Sequence, residues 1–184
     1  MKILTNVQTD ELDSRMKNAL NKAVRVVRDK AMLVGFAESC TGGLLSSLMT
    51  KQSGISDIFW GSVVSYANES KSVFLGVQES VFKTFGAVSS ECAKQMAEGL
   101  AAQIKKTTSK DVVTVAVTGI AGPTGGTTLK PVGTVFIAVA GTKIATQIFH
   151  HEFVNITKDK ELTREEIQYA AAAAALDHLS ENLK

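Results

Sequence analysis

Ala31-Met32-Leu33-Val34-Gly35-Phe36-Ala37-Glu38-Ser39-Cys40-Thr41-Gly42-Gly43 is the stretch that decides how this chain is read. Its apolar run, residues 31–37, has the length and character of a buried strand, and Leu44, Leu45, Leu48 and Met49 recur after it at helical spacing. The expected path is therefore strand, glycine turn, helix, with Ser39 at the crossing, where α/β proteins tend to keep their sites. A hydroxyl beside the unpaired N–H groups of a helix start can be stabilised as an alkoxide, and so can the oxyanion of a tetrahedral intermediate. Ser39, Cys40 and Thr41 can equally be read as caps of that helix, since Ser and Thr are favoured there.

Working outward, residues 9–29 place Leu12, Met16, Leu20, Val24 and Val27 on one face of an amphipathic helix before this strand. Further strands are expected over residues 59–66 and 111–118, with helical segments near 69–75, 79–84 and 90–106 between them. Residues 132–140 and 142–149 flank Gly141-Thr142, which reads as the turn of an antiparallel hairpin. Thr163-Arg164-Glu165-Glu166 has the pattern of a capping box, and the helix it opens carries six consecutive alanines, Ala170 to Ala175, suited to close packing. The expected fold is α/β: a three-layer sandwich whose mixed, mostly parallel sheet has helices on both faces and a C-terminal antiparallel hairpin.

With 184 residues, 45% hydrophobic and 21% charged, the chain is the size of one globular domain with a substantial core. Twenty Lys plus Arg against 18 Asp plus Glu give a formal charge of +2, too small a cationic field to make nucleic acid the default partner. Two cysteines do not make a disulfide scaffold, and no basic-then-apolar leader opens the chain, so a cytoplasmic location is expected. No apolar run approaches the ~20 residues of a membrane span, so no membrane partner is expected. In a cytoplasmic protein the triplets Asn68-Glu69-Ser70 and Asn155-Ile156-Thr157 carry no glycosylation signal.

Thr118-Gly119-Ile120-Ala121-Gly122-Pro123-Thr124-Gly125-Gly126 follows an apolar strand, and its glycines can bring backbone N–H groups close to a ligand. It has neither the dinucleotide fingerprint nor a P-loop, and a plain turn is the other reading. Tyr66-Ala67-Asn68-Glu69-Ser70-Lys71 places a phenol and an amine between a strand and a helix. An unshifted lysine, pKa near 10.4, is less than ~0.1% neutral at pH 7, so Lys71 can serve as a base only if burial or positive neighbours lower it. A lowering to about 8 would leave roughly a tenth neutral at a cost near 3 kcal/mol. The other reading is a solvated helix residue paired with Glu69. The Tyr and Lys spacing, with no nucleotide fingerprint nearby, is not that of short-chain dehydrogenases. His150 and His151 are neighbours on an expected strand and face opposite sides, so a metal site is not expected. A Ser-His-Asp triad on Ser39 stays open, although no Gly-x-Ser-x-Gly elbow is present.

These segments, in order, with Lys130-Pro131-Val132-Gly133-Thr134-Val135, resemble the CinA carboxy-terminal domain family over about residues 10–180. The resemblance implies a single domain over residues 1–184, leaving no residues for the molybdopterin-binding-like module that often accompanies it. It implies an amidohydrolase without metal or cofactor that converts nicotinamide mononucleotide to nicotinic acid mononucleotide and ammonia, a step of pyridine nucleotide salvage. Ser39 is then the nucleophile, Lys71 the general base and Tyr66 its partner. Backbone N–H groups of Thr41, Gly42 and Gly43, or of Gly119, Ile120, Ala121 and Gly122, would hold the oxyanion or the ligand. The family commonly shows a short Gly-Asp-Arg turn and a second arginine one helical turn later. Here residues 155–163 form a longer segment, Arg164 aligns with the first arginine as candidate phosphate ligand, and Gln168 stands in place of the second. A homo-oligomer is expected. The competing reading is a catalytically silent module of the same fold that binds a nucleotide or a protein.

Overall fold

The computed structural model describes residues 2–7, 11–154 and 161–184. Its elements are β1 (Lys2–Asn6), α1 (Leu12–Asp29), β2 (Leu33–Glu38), α2 (Leu44–Thr50), β3 (Phe59–Val64), α3 (Asn68–Leu75), α4 (Glu79–Thr84), α5 (Ser90–Lys105), β4 (Val112–Gly119), β5 (Thr134–Gly141), β6 (Gln147–Val154) and α6 (Arg164–Asn182). A short 3₁₀ turn, Ile55–Asp57, leads into β3. The six described strands form one sheet in the order β1-β6-β5-β4-β2-β3. β5 alone runs against the others: its pairings with β4 and β6 are antiparallel, whereas β1 with β6, β2 with β3 and β2 with β4 are parallel.

Strand alternation sorts the core into two layers. Val113, Val115 and Val117 of β4 point with Val34, Phe36, Val135, Ile137 and Val139 toward α1, α2 and α6. Their neighbours Val112 and Ala116, with Ala37, Ala138 and Ala140, face α5, α3 and α4. The second face is floored by small side chains, so α5 lies close against it. A methyl added at Gly35 would come within 2.5 Å of Ile104 Cδ1. On the first face all six alanines from Ala170 to Ala175 are buried, which lets α6 sit between the sheet and α1. The Thr163 capping box forms as its pattern requires: the Thr163 hydroxyl accepts from Glu166 N–H, and the Glu166 carboxylate accepts from Thr163 N–H.

Two expectations are corrected. The hairpin is present, but its turn covers residues 142–146, and β6 starts only at Gln147 and runs on to Val154. The N-terminal strand β1, not expected from the sequence, pairs in parallel with the β6 edge. The first residues of the expected helix over 9–29 and the triplet Asn155-Ile156-Thr157 lie outside the described residues. No described helix is long and apolar enough to cross a membrane.

Candidate active site

Ser39 follows directly on β2, and its N–H donates to Val117 O of β4 at 3.0 Å, extending the ladder one residue beyond the strand. On the other side Ser65 N–H donates to Glu38 O at 2.8 Å. The serine is thus held between the carboxyl ends of three parallel strands. The chain then turns into α2 through Gly42 (φ 62) and Gly43 (φ 97), a left-handed pair that residues with a Cβ adopt only under strain.

The residue that organises this turn is Glu38, fully buried and not singled out in the sequence. Its Oε2 accepts from Thr41 Oγ1 (2.8 Å), Gly43 N (3.0 Å) and Leu45 N (3.1 Å), and its Oε1 from Ser46 N (2.9 Å) and Ser62 Oγ (3.1 Å). A carboxylate at a helix N-terminus satisfies orphan donors and complements the dipole, so this is the cap of α2. The role considered for Ser39 falls to Glu38, and the serine hydroxyl is left for another partner.

That partner is Lys71. Its side chain is buried, with 1% residual exposure, and reaches Ser39 Oγ at 3.0 Å. The same Nζ donates to the carbonyls of Ser65 (2.7 Å) and Tyr66 (2.9 Å). α3 can deliver it there because Gly99 of α5 has no side chain: a Cβ would lie 1.8 Å from Leu75 O, at the end of α3. Burial lowers the Lys71 pKa from its ordinary value. The nearby thiols of Cys40 and Cys92, pushed up by burial to about 12 and about 11, stay protonated and provide no anion to hold the ammonium form. The alternative reading, a solvated pair with Glu69, is not what forms. A thiol as hard to ionise as that of Cys40 is also a poor nucleophile.

Tyr66 joins this group by its main chain. Its ring is 64% exposed, and its hydroxyl accepts from Arg164 Nη2 at 3.0 Å, so the phenol is not the hydrogen-bond partner of Ser39 or Lys71. Arg164, at the first turn of α6, also donates from Nη1 to Gly122 O at 2.7 Å and so spans two walls of the cleft. Among the described residues it forms no ion pair with its sequence neighbours Glu161 and Glu165. One helical turn on, Gln168 Nε2 donates to Cys40 O at 2.7 Å.

Ser39, Lys71, Tyr66 and Arg164 line one cleft of about 310 Å³, with Cys40, Ala87, Val88 and residues 118–122 and 124–125. Thr118 Oγ1 donates to Ala87 O at 2.8 Å, and Lys130 Nζ to Phe85 O and Val88 O at 2.8 and 2.7 Å, which tie the loop before α5 to this wall. The backbone donors expected for an oxyanion are only partly free. Gly42 N–H goes to Ser39 O, Gly43 N–H to Glu38 and Ile120 N–H to Thr134 O. The N–H groups of Thr41, Ala121 and Gly122 meet no protein acceptor among the described residues. Gly119 is held in the β4–β5 ladder, opposite Val135.

The histidines lie elsewhere. His151 and His178 face each other through their Nε2 atoms at 2.8 Å, with His151 Nδ1 2.8 Å from Thr5 Oγ1 of β1, and His150 stacks on Phe136. None of the three lines the cleft, so a Ser39 triad is not assembled. Among the described residues no three His, Cys, Asp or Glu side chains converge as metal ligands.

Known proteins share this fold. The model of the CinA C-terminal domain matches residues 16–183. The chain is 42% identical over 172 residues to a CinA-like protein of Thermotoga maritima, covering 94% of this chain and 38% of that protein. A CinA-like protein of Syntrophomonas wolfei is 44% identical over 151 residues, covering 82% of this chain and 33% of its own length. The chain therefore spans little more than a third of these relatives. The crystal structure of the competence/damage inducible protein CihA from Agrobacterium tumefaciens superposes with a TM-score of 0.82 at 32% identity, covering 92% of this chain and 96% of that one. The chain belongs to the CinA C-terminal domain family.

Proposed function

We propose that this chain is a serine amidohydrolase that cleaves the carboxamide of nicotinamide mononucleotide to give nicotinic acid mononucleotide and ammonia. The observation that carries the reading is the set of contacts of the buried Lys71 Nζ, to Ser39 Oγ and to the carbonyls of Ser65 and Tyr66. A neutral amine has two N–H groups and one lone pair. In the ammonium form Nζ donates to all three oxygens; in the neutral form the carbonyls of Ser65 and Tyr66 take the two N–H groups, and the lone pair faces the hydroxyl of Ser39. Burial without a carboxylate partner favours that neutral form. An arrangement built for a structural lysine would instead supply an anion.

In the reaction Ser39 Oγ attacks the amide carbon while its proton passes to Lys71 Nζ. The oxyanion is held by backbone donors, for which Thr41, Ala121 and Gly122 are the candidates. Lys71 returns the proton to the amide nitrogen, the C–N bond breaks and ammonia leaves. Water, deprotonated by the same amine, then cleaves the ester to the carboxylic acid and restores Ser39. Tyr66 contributes its carbonyl, which orients the lysine, and its ring, which walls the cleft. Arg164 is the cation at hand for a substrate phosphate, and its guanidinium keeps N–H groups beyond the two it uses. The pyridine nucleotide itself is named on the resemblance of the motifs to the family's deamidases.

The test is ammonia release from nicotinamide mononucleotide by the purified chain and by Ser39→Ala. The wild type is expected to turn over and the variant to lose activity by a factor of a thousand or more, with an unchanged melting temperature because the cap of α2 belongs to Glu38. A wild type that binds the nucleotide and releases no ammonia would instead make this a silent binding module of the same fold.

A further inference from the structure

The turn that carries Ser39 is pinned locally at several backbone polar groups. Ser39 O accepts from Gly42 N–H at 3.1 Å, and Thr41 O from Leu44 N–H at 3.1 Å. Glu38 holds the Thr41 side chain and Gly43 N–H. The carbonyl of Cys40 has no such local partner: it is reached by Gln168 Nε2 at 2.7 Å, from a residue 128 positions along the chain. Gln168 is the tertiary contact that fixes the plane of the Cys40–Thr41 peptide.

We infer that Gln168 is a positioning residue for the nucleophile: by donating to Cys40 O it orients the peptide whose N–H belongs to Thr41, a candidate oxyanion donor. A trans peptide carries its C=O and N–H in opposite directions, so an anchor on one aims the other. An accepted hydrogen bond also polarises the amide and strengthens its N–H as a donor. The capping box at Thr163 and the contact of Arg164 with Gly122 O hold the first turn of α6 against the cleft, so Gln168 is presented on a rigid element. Its amide is neutral, so it donates to the turn without changing the charge beside Lys71. The inference rests on the serine-hydrolase reading and adds to it a residue that lies outside the lining of the cleft.

The experiment compares wild type, Gln168→Met and Gln168→Arg. Methionine has nearly the same length and no donor, whereas arginine keeps an N–H that can reach the carbonyl. Two readouts are taken well below the melting temperature: the rate at which a fluorophosphonate probe labels Ser39, and hydrogen exchange of a peptide covering residues 39–46. Gln168→Met is expected to label at least tenfold more slowly and to exchange faster over 39–46 only. Its kcat should fall while KM is kept, and Gln168→Arg should recover most of the labelling rate. Wild-type exchange over 39–46 in Gln168→Met overturns the inference, whatever the reactivity of Ser39. So does faster exchange with an unchanged labelling rate, and so does an arginine variant as slow as the methionine one. A wild type that neither labels nor hydrolyses, with exchange still dependent on Gln168, overturns the nucleophile reading and leaves Gln168 a fastening of the fold.

Discussion

Replacing Glu38 by glutamine tests the framework of the site with a change of one atom. The carboxylate collects five donors, three on Oε2 and two on Oε1, and an amide has a single oxygen to offer. The better orientation keeps the oxygen where Oε2 now lies. The NH₂ group then faces Ser46 N–H and Ser62 Oγ. Ser62 can adapt, since its hydroxyl also lies 3.0 Å from Phe36 O and can donate there while accepting from the amide. Ser46 N–H cannot. It loses its acceptor and meets a donor, which costs roughly 1–3 kcal/mol, and the remaining bonds lose their charge assistance, about 1 kcal/mol more in total. These costs come to about 2–4 kcal/mol, and relief from burying a charge offsets part of them, so a net loss of about 1–3 kcal/mol is expected. At ~2–4 °C per kcal/mol for a chain of this size, the melting temperature should fall by about 2–12 °C. Thermal unfolding followed by circular dichroism measures it, with Ser39→Ala as the control at the same turn. A Glu38→Gln variant that melts within about 2 °C of wild type would refute the claim that this carboxylate holds the turn.

Three further outcomes follow from the same geometry. Lys71→Arg should be nearly as inactive as Lys71→Ala, because a guanidinium keeps its proton, and the wild-type rate should rise with pH as the depressed lysine deprotonates, levelling off below the ordinary value of 10.5; a flat profile would exclude Lys71 as the base. Arg164→Ala should lower kcat/KM for nicotinamide mononucleotide by roughly tenfold to a hundredfold, from ~1.5–3 kcal/mol for a charge-assisted bond, and leave the dephosphorylated riboside little changed; equal losses would mean that Arg164 acts by bracing Tyr66 and Gly122. His151, buried against His178, has its pKa lowered by burial from 6.5 to about 4, so the unfolded chain takes up the proton first. Its contribution to stability is complete above pH 6.5 and lost as pH falls toward 4, up to about 3 kcal/mol. Denaturant titrations at pH 7 and pH 4.5 should show this loss, and His151→Asn should flatten it; an unchanged slope in that variant would place the acid sensitivity elsewhere.

The strand, glycine turn and helix around Ser39 were legible because each leaves a local record: an apolar run, two residues free to take positive φ, leucines at helical spacing. The capping box at Thr163 is legible for the same reason, since donor and acceptor lie three residues apart. The short strand β1 has no such record. Its partner is the edge of β6, nearly 150 residues away, and five residues carry too little alternation to announce it. The hairpin is legible and the extent of its turn is not, because Gly141-Thr142 marks where β5 ends and not where β6 begins.

Within the site, the motifs name the residue types and leave their roles undetermined. Lys71 as a base depends on burial and on two carbonyls that hold its protons, and neither shows in the spacing Tyr66 to Lys71. The phenol of Tyr66, the obvious partner by chemistry, is turned to Arg164, and its carbonyl is what meets Lys71. Glu38 reads as one more residue of a strand end until its carboxylate is seen to accept from both sides of the turn. Gln168 reads as a substitution on an alanine helix until α6 is laid against Cys40. By itself, then, the sequence determined most of the elements, their layering and the candidate nucleophile, since periodicity and turn chemistry act between near neighbours. Only the tertiary structure decided which atoms meet at Ser39, because burial, proton sharing and the freeing or capture of each N–H depend on segments that the topology brings together from across the chain.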